Sequence, residues 1–286
     1  MNGIVIVDKP QNWTSQDVAA RLRRVFQTKR IGHGGTLDPM ATGVLPVFVG
    51  RGTRGVEFFE HAEKTYETVL KLGITTDTED IWGNVLARSP VCVTEEQVEA
   101  VLSRFRGEIM QVPPMYSALK VNGQKLCDLA RKGQQVQRQP RPIIIHQLNL
   151  LERGEDTLRL QVRCSKGTYI RTLCKDIGEA LGCGGCMQQL RRTSAGEYTI
   201  EEAVALETLL ESENPEQFLR PVDSMFRSYP ALTLTANQEK RCRNGNPFSL
   251  SVPEGTYRAY SESGEFLMLG KVESGIMSTI KSFFEP

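Results

Sequence analysis

Residues 32–46 read GHGGTLDPMATGVLP. Glycines at 32, 34, 35 and 43 and the proline at 39 break both the helical and the strand period. Residues 31–42 are therefore expected to form a loop, with Val44–Val49 behind it as a strand. Within the loop, Leu37-Asp38-Pro39 is a turn signature: aspartate caps its own backbone, and proline denies helix to the residue before it. Small residues let a bulky partner approach the backbone closely. The same loop offers one imidazole, His33, and one carboxylate, Asp38.

Upstream, Gly3–Val7 reads as a buried strand and Pro10-Gln11-Asn12 as a turn. Thr14 with Asp17 forms a capping box for a helix whose Val18, Leu22, Val25 and Phe26 share a face. Downstream, Val56–Ala62 is expected as a short helix and Tyr66–Leu72 as a strand. Thr94 with Gln97 caps a helix that stops at Gly107. Residues 112–142, bounded by prolines, look like a long insertion with one helix near Leu126–Ala130. Ile143–Leu151 and Leu158–Cys164 are strands turned at Gly154. Tyr169–Leu181 is a helix ended by Gly182, and Glu201–Leu210 a helix capped by Thr199 with Glu202. Gly167 and the first N–H groups of the helix behind it suit an anion, either phosphate or a carboxylate such as Asp38. After a linker near 221–230, the tail 231–286 reads as a small β-rich unit. Strands interrupted irregularly by helices favour an α+β fold over a regular βαβ array.

The chain has 286 residues, of which 40% are hydrophobic and 24% charged, which excludes fibrous and wholly disordered classes. Its longest charge-free apolar run, 39–50, has 12 residues, too short to span a membrane. The apolar run at the N-terminus is too short for a secretory signal. Seven scattered cysteines suit a reducing cytoplasm. Net charge is +1, but residues 116–142 carry six basic groups against one acid, and 16–34 carry five against one. Basic stretches on a neutral chain are expected where one face meets a phosphate backbone; solvated helix faces are the alternative.

Two motifs are weak. Gly50-Arg51-Gly52-Thr53-Arg54-Gly55 matches a dinucleotide-binding turn, yet the helix after it is short and Glu67, the nearest acid of the right spacing, opens a strand. Cys183-Gly184-Gly185-Cys186 lacks a second pair to complete a zinc shell, and His33, His61 and His146 are isolated.

The loop at 32–46 closely resembles the signature of the tRNA pseudouridine synthase B (TruB) family. The resemblance continues in VDKP (7–10), KTYE (64–67), MYSALK (115–120), SKGTYIRTL (165–173) and LRR (190–192). It implies a mixed, largely antiparallel sheet flanked by helices, in a catalytic domain over 1–220 with an RNA-clamping insertion at 112–142. A small PUA-like RNA-binding domain over 231–286 would follow. The implied reaction turns one uridine of the transfer RNA T-arm, position 55 in transfer RNA numbering, into pseudouridine, with no cofactor and no metal.

By this similarity Asp38 is the nucleophile, attacking the ribose or starting a C2′-deprotonation route, and Arg171 is its ion-pair partner. Tyr66 stacks on the flipped uracil and serves as general base at C5. Tyr169 and Leu190 line the pocket, His33 fills the gap left in the RNA stack, and Lys9 with Pro10 supports the site. Arg131, Lys132 and Arg138 belong to the RNA clamp. Gly34 stands where many relatives carry threonine, which is expected to leave the loop less restrained. The implied protein is a cytoplasmic monomer that binds transfer RNA, with no membrane and no obligate protein partner. A guide-RNA-directed synthase and a non-catalytic RNA-binding protein are the alternatives.

Overall fold

A computed structural model describes residues 1–121 and 123–285, so position 122 of the insertion and the last residue of the tail lie outside the described residues. The chain divides into two compact units. Met1–Asp38, Leu45–Glu60 and Glu201–Pro286 make the first; Pro39–Val44 and His61–Ile200 make the second.

In the first unit, the strand Gly3–Lys9 buries Ile4, Ile6 and their neighbours on both faces, as expected of a continuous apolar run. It pairs in parallel with Val204–Ala205 and is bridged to Arg220 at Ile4. The capping box of Thr14 and Asp17 opens the helix Ser15–Val25, whose Val18, Ala19 and Leu22 are buried. The glycine-rich segment is not loop throughout: Ile31–His33 is a short strand antiparallel to Val47–Val49. Backbone pairing there overrides weak local propensity. Gly50–Gly55 forms a 3-10 helix that runs into a single α-turn, Val56–Phe59, in place of the longer helix expected. Residues 201–210 also differ from expectation. They form a 3-10 turn at Ile200–Glu202, the strand Val204–Ala205 and a short helix, Leu206–Glu211, because Val204 is drawn into pairing with Val7.

The tail folds as expected into strands, with Gly255–Tyr260, Phe266–Glu273 and Ile276–Ser282 antiparallel in sequence order. Leu234, Ala259, Leu267, Met268 and Met277 form its core. The stretch read as linker is pinned: Val222–Phe226 is a 3-10 turn, and Phe226 packs with Phe58, Phe266 and Phe283.

In the second unit, strands Gly185–Ala195, Lys64–Leu72, Thr157–Cys164, Arg141–Arg153 and Gly107–Gln111 lie side by side, all antiparallel. Thr42 and Gly43 add a parallel pairing against Arg191 and Arg192, which makes the sheet mixed. Gly185–Ala195 had no sequence counterpart. Gly43 faces the Arg192 backbone so closely, at φ +100°, that a Cβ would collide with it. Lys64–Leu72 alternates strictly, burying Lys64, Tyr66, Thr68, Leu70 and Leu72. The helix Ile170–Ala180 covers that face, with Cys174 Sγ 3.8 Å from Thr68 Oγ1. In the insertion, Lys120–Val121 pairs antiparallel with Gln124–Lys125, ahead of the helix Leu126–Arg131.

Candidate active site

The first unit builds a rigid seat for the residue before Asp38. Ser15, the first residue of its helix, is buried, and its hydroxyl accepts the Leu37 N–H (2.8 Å) and donates to the Leu37 carbonyl (3.2 Å). Both backbone polar groups beside Asp38 are thereby satisfied by one side chain. At the other end of the turn, Gly34 N–H donates to Pro46 O at 2.8 Å, and His33 is paired with Val47. A Cβ at position 34 would run into the Phe59 ring, so the aromatic ring takes the space. Lys9 is completely buried; its ammonium donates to the carbonyls of Pro10 (2.9 Å) and Trp13 (2.6 Å), closing the strand-to-helix turn.

The second unit carries Tyr66, Leu190, Tyr169 and Arg171. Tyr66 lies opposite Arg192 in one neighbouring strand and Val162 in the other, and Leu190 lies opposite Thr68, so Tyr66 and Leu190 share a face. Arg192 is fully buried on that face, donating from Nε to Val44 O at 2.6 Å. Tyr169 caps the helix over it. The buried side chain of Gln111 accepts the Tyr169 N–H (2.8 Å) and donates to the Tyr169 carbonyl (3.0 Å).

Arg171 is 5% exposed. It donates to the carbonyls of Thr78 (3.1 Å) and Tyr116 (2.8 Å), and its Nε stands 4.0 Å from Asp80 Oδ2. A buried guanidinium needs such partners to remain charged. Asp80, Gln111, Arg192 and Ser15 were not singled out as functional side chains from sequence. Only Arg192 had a signal, as the last residue of the LRR motif.

Lys166 Nζ stands 2.9 Å from His61 Nδ1. In the insertion, Arg131 and Lys132 are exposed, and Arg131 pairs with Asp128 at 3.4 Å. Arg138 instead donates to Pro113 O at 3.0 Å, tying the end of the insertion to its start. Burial raises Asp176, on the helix carrying Arg171, to a pKa of about 6, and the buried Cys174 thiol to about 12. Among the described residues no group of three His, Cys, Asp or Glu could hold a metal, and no helix is long and apolar enough to cross a membrane.

The family described as "TruB family pseudouridylate synthase (N terminal domain)" matches residues 23–170, and "tRNA pseudouridylate synthase B C-terminal domain" matches 171–227. The chain is 45% identical over 282 residues to tRNA pseudouridine synthase B of Stutzerimonas stutzeri (strain A1501), covering 95% of this chain and 92% of that one. It is 46% identical over 261 residues to tRNA pseudouridine synthase B of Ralstonia pickettii (strain 12J), covering 88% and 82%. Among solved structures, a Cbf5-Nop10-Gar1 complex matches with a TM-score of 0.73 at 24% identity, covering 99% of this chain and 85% of that one. At that identity the likeness is one of fold.

Proposed function

Because this chain belongs to the TruB family of pseudouridylate synthases, we propose that it isomerises the T-arm uridine of transfer RNA to pseudouridine, with Asp38 as the nucleophile. The reaction is atom-neutral. The N1–C1′ bond breaks, the uracil turns, a C5–C1′ bond forms, and the C5 proton leaves while N1 takes one. A carboxylate suits work at an anomeric carbon, either by attack on the ribose or by removal of the C2′ proton. A base inside a folded arm is out of reach until it is flipped.

The remaining roles follow residue by residue. Tyr66 stacks on the uracil and acts as base at C5. Tyr169 and Leu190 wall the base, Arg171 supplies the cation that keeps Asp38 charged, His33 fills the gap in the RNA stack, and Lys9 supports the loop. Arg131, Lys132 and Arg138 belong to the clamp over 112–142, and residues 231–286 form a second RNA-binding module. The protein works in the cytoplasm without an obligate partner.

The observation that carries the aspartate assignment is the two-way bond between Ser15 and Leu37, which fixes the backbone presenting Asp38. Supporting the base-stacking role, Tyr66, Leu190 and Arg192 share one buried sheet face.

The test uses the purified chain alone and a T-arm hairpin carrying 5-tritiated uridine. Tritium reaches solvent with the unaltered protein and not with Asp38→Asn, which still binds the hairpin. Undiminished release by the variant removes Asp38 from its role, and no release by the unaltered protein removes the whole reading.

A further inference from the structure

Residues 77–84, DTEDIWGN, form a turn whose polar groups are fixed by its own side chains. Asp77 accepts both the Asn84 N–H and the Asn84 side-chain amide at 2.8 Å. Asp80 Oδ1 accepts the Thr78 hydroxyl (2.8 Å) and the Trp82 N–H (3.0 Å). Thr76 donates to the Asp80 carbonyl (2.7 Å), and Ile81 N–H to the Met187 carbonyl (2.9 Å). At position 83 a Cβ would strike Thr78 and Asp77, so only glycine fits the turn.

On this stiff backbone Trp82 leaves 54% of its surface in solvent, and Val85 and Leu86 of the following strand are exposed as well. The protein's other tryptophan, Trp13, has the Arg21 guanidinium 6.0 Å from its ring; among the described residues, no ring or cation lies over Trp82. A rigidly presented indole loses little conformational freedom when something covers it. The acids of the turn are already engaged: Asp77 and Asp80 as above, and Glu79 by the Thr172 hydroxyl (2.6 Å) with Lys175 at 3.6 Å. Glu79 and Asp80 thus stand beside the cations Lys175 and Arg171, whereas Asp77 is held by neutral donors. The same turn holds Arg171 through Thr78 and Asp80.

We infer that Trp82 is a stacking platform for an unpaired base of the RNA substrate, beside the uridine that is turned over. The inference rests on the proposed function and adds a contact to it. Every base presents a π face, so an exposed indole holds single-stranded RNA without reading its sequence.

Trp13 and Trp82 are the protein's two tryptophans, so Trp13→Phe leaves Trp82 as the sole reporter. In that variant, with Asp38→Asn added to halt turnover, the T-arm hairpin is expected to quench emission by about half. The same hairpin made abasic on both sides of the target uridine is expected to leave emission unchanged. In turnover assays, Trp82→Ala raises KM about tenfold and moves kcat less than twofold, and Trp82→Phe recovers most of the loss.

Tritium release by the unaltered protein on the same hairpin separates the two readings. Normal release with no quenching, or a fall in kcat with KM unmoved, overturns the platform alone. No release overturns the proposed function and the platform with it.

Discussion

Arg171 Nε stands 4.0 Å from Asp80 Oδ2, and both side chains are buried. Removing one member of such a pair takes a compensating charge from the other, at a cost of about 3 kcal/mol. It also frees Arg171 to shift, and a displacement of about 1 Å near reacting groups lowers rates by about a hundredfold. Asp80→Ala is therefore expected to lower both the denaturation midpoint and kcat on this scale, with Asp80→Asn intermediate. A kcat within twofold of the parent would separate Asp80 from catalysis.

Ser15→Ala strips the Leu37 N–H and carbonyl of their shared partner inside the protein. Buried backbone groups left unpaired cost about 1–3 kcal/mol. The expected outcome is a stability loss in that range together with a kcat lowered about tenfold. Ser15→Thr, which keeps the hydroxyl, is expected to recover turnover, and single-turnover kinetics on the hairpin provide the check.

Gly34 and Phe59 occupy each other's space, since a side chain at 34 meets the Phe59 ring. Gly34→Thr alone is expected to destabilise by about 1–3 kcal/mol through overpacking. Combined with Phe59→Ala, part of that loss disappears. A double-mutant cycle in urea should give a coupling above about 0.5 kcal/mol, and simple additivity would show that the two sites are independent.

Burial holds the Asp176 carboxyl at a pKa of about 6 in the folded chain, above its unfolded value. A carboxyl raised on folding favours the folded state below the unfolded pKa and withdraws that stability as pH rises through about 6. A two-unit shift corresponds to about 3 kcal/mol, and partial exposure reduces this to about 1 kcal/mol. Asp176→Asn should thus raise Tm at pH 7.5 and converge with the parent near pH 4. A constant difference across that range would assign the effect to packing.

Arg131 and Lys132 are exposed on the insertion. Neutralising both is expected to reduce the slope of log affinity against log salt by about 1.5, since each phosphate contact contributes about 0.7–0.9. Arg138→Gln is expected to act differently, loosening the insertion by removing its bond to Pro113. Filter binding of the T-arm hairpin between low and physiological salt measures both slopes.

Much of the frame was legible because its signals are local. The Thr14/Asp17 and Thr94/Gln97 boxes formed as read, and Tyr66–Leu72 lies in a strand as expected. The strand Gly185–Ala195 was not legible: a bulge between Met187 and Gln189 breaks its period, and Arg192 is buried by pairing rather than by polarity. Val204 took strand geometry from Val7, 197 residues away in sequence, which no local window contains. The loop around Asp38 announced itself through composition and family likeness. Its supports did not, because Ser15 and Asp80 act through contacts with residues that sequence cannot place beside them.

The aromatic cluster of Phe58, Phe226, Phe266 and Phe283 has a practical corollary. Cutting the chain at residue 230 would strip two of the four rings away and wet the remaining pair, so a truncated protein would report on solubility before it reported on RNA. Charge reversal at Lys240 and Arg241, in the last turn of the capped helix Ala236–Arg243, leaves that aromatic seam closed. Point changes of this kind, rather than deletion, are the appropriate probe of what the tail contributes to grip.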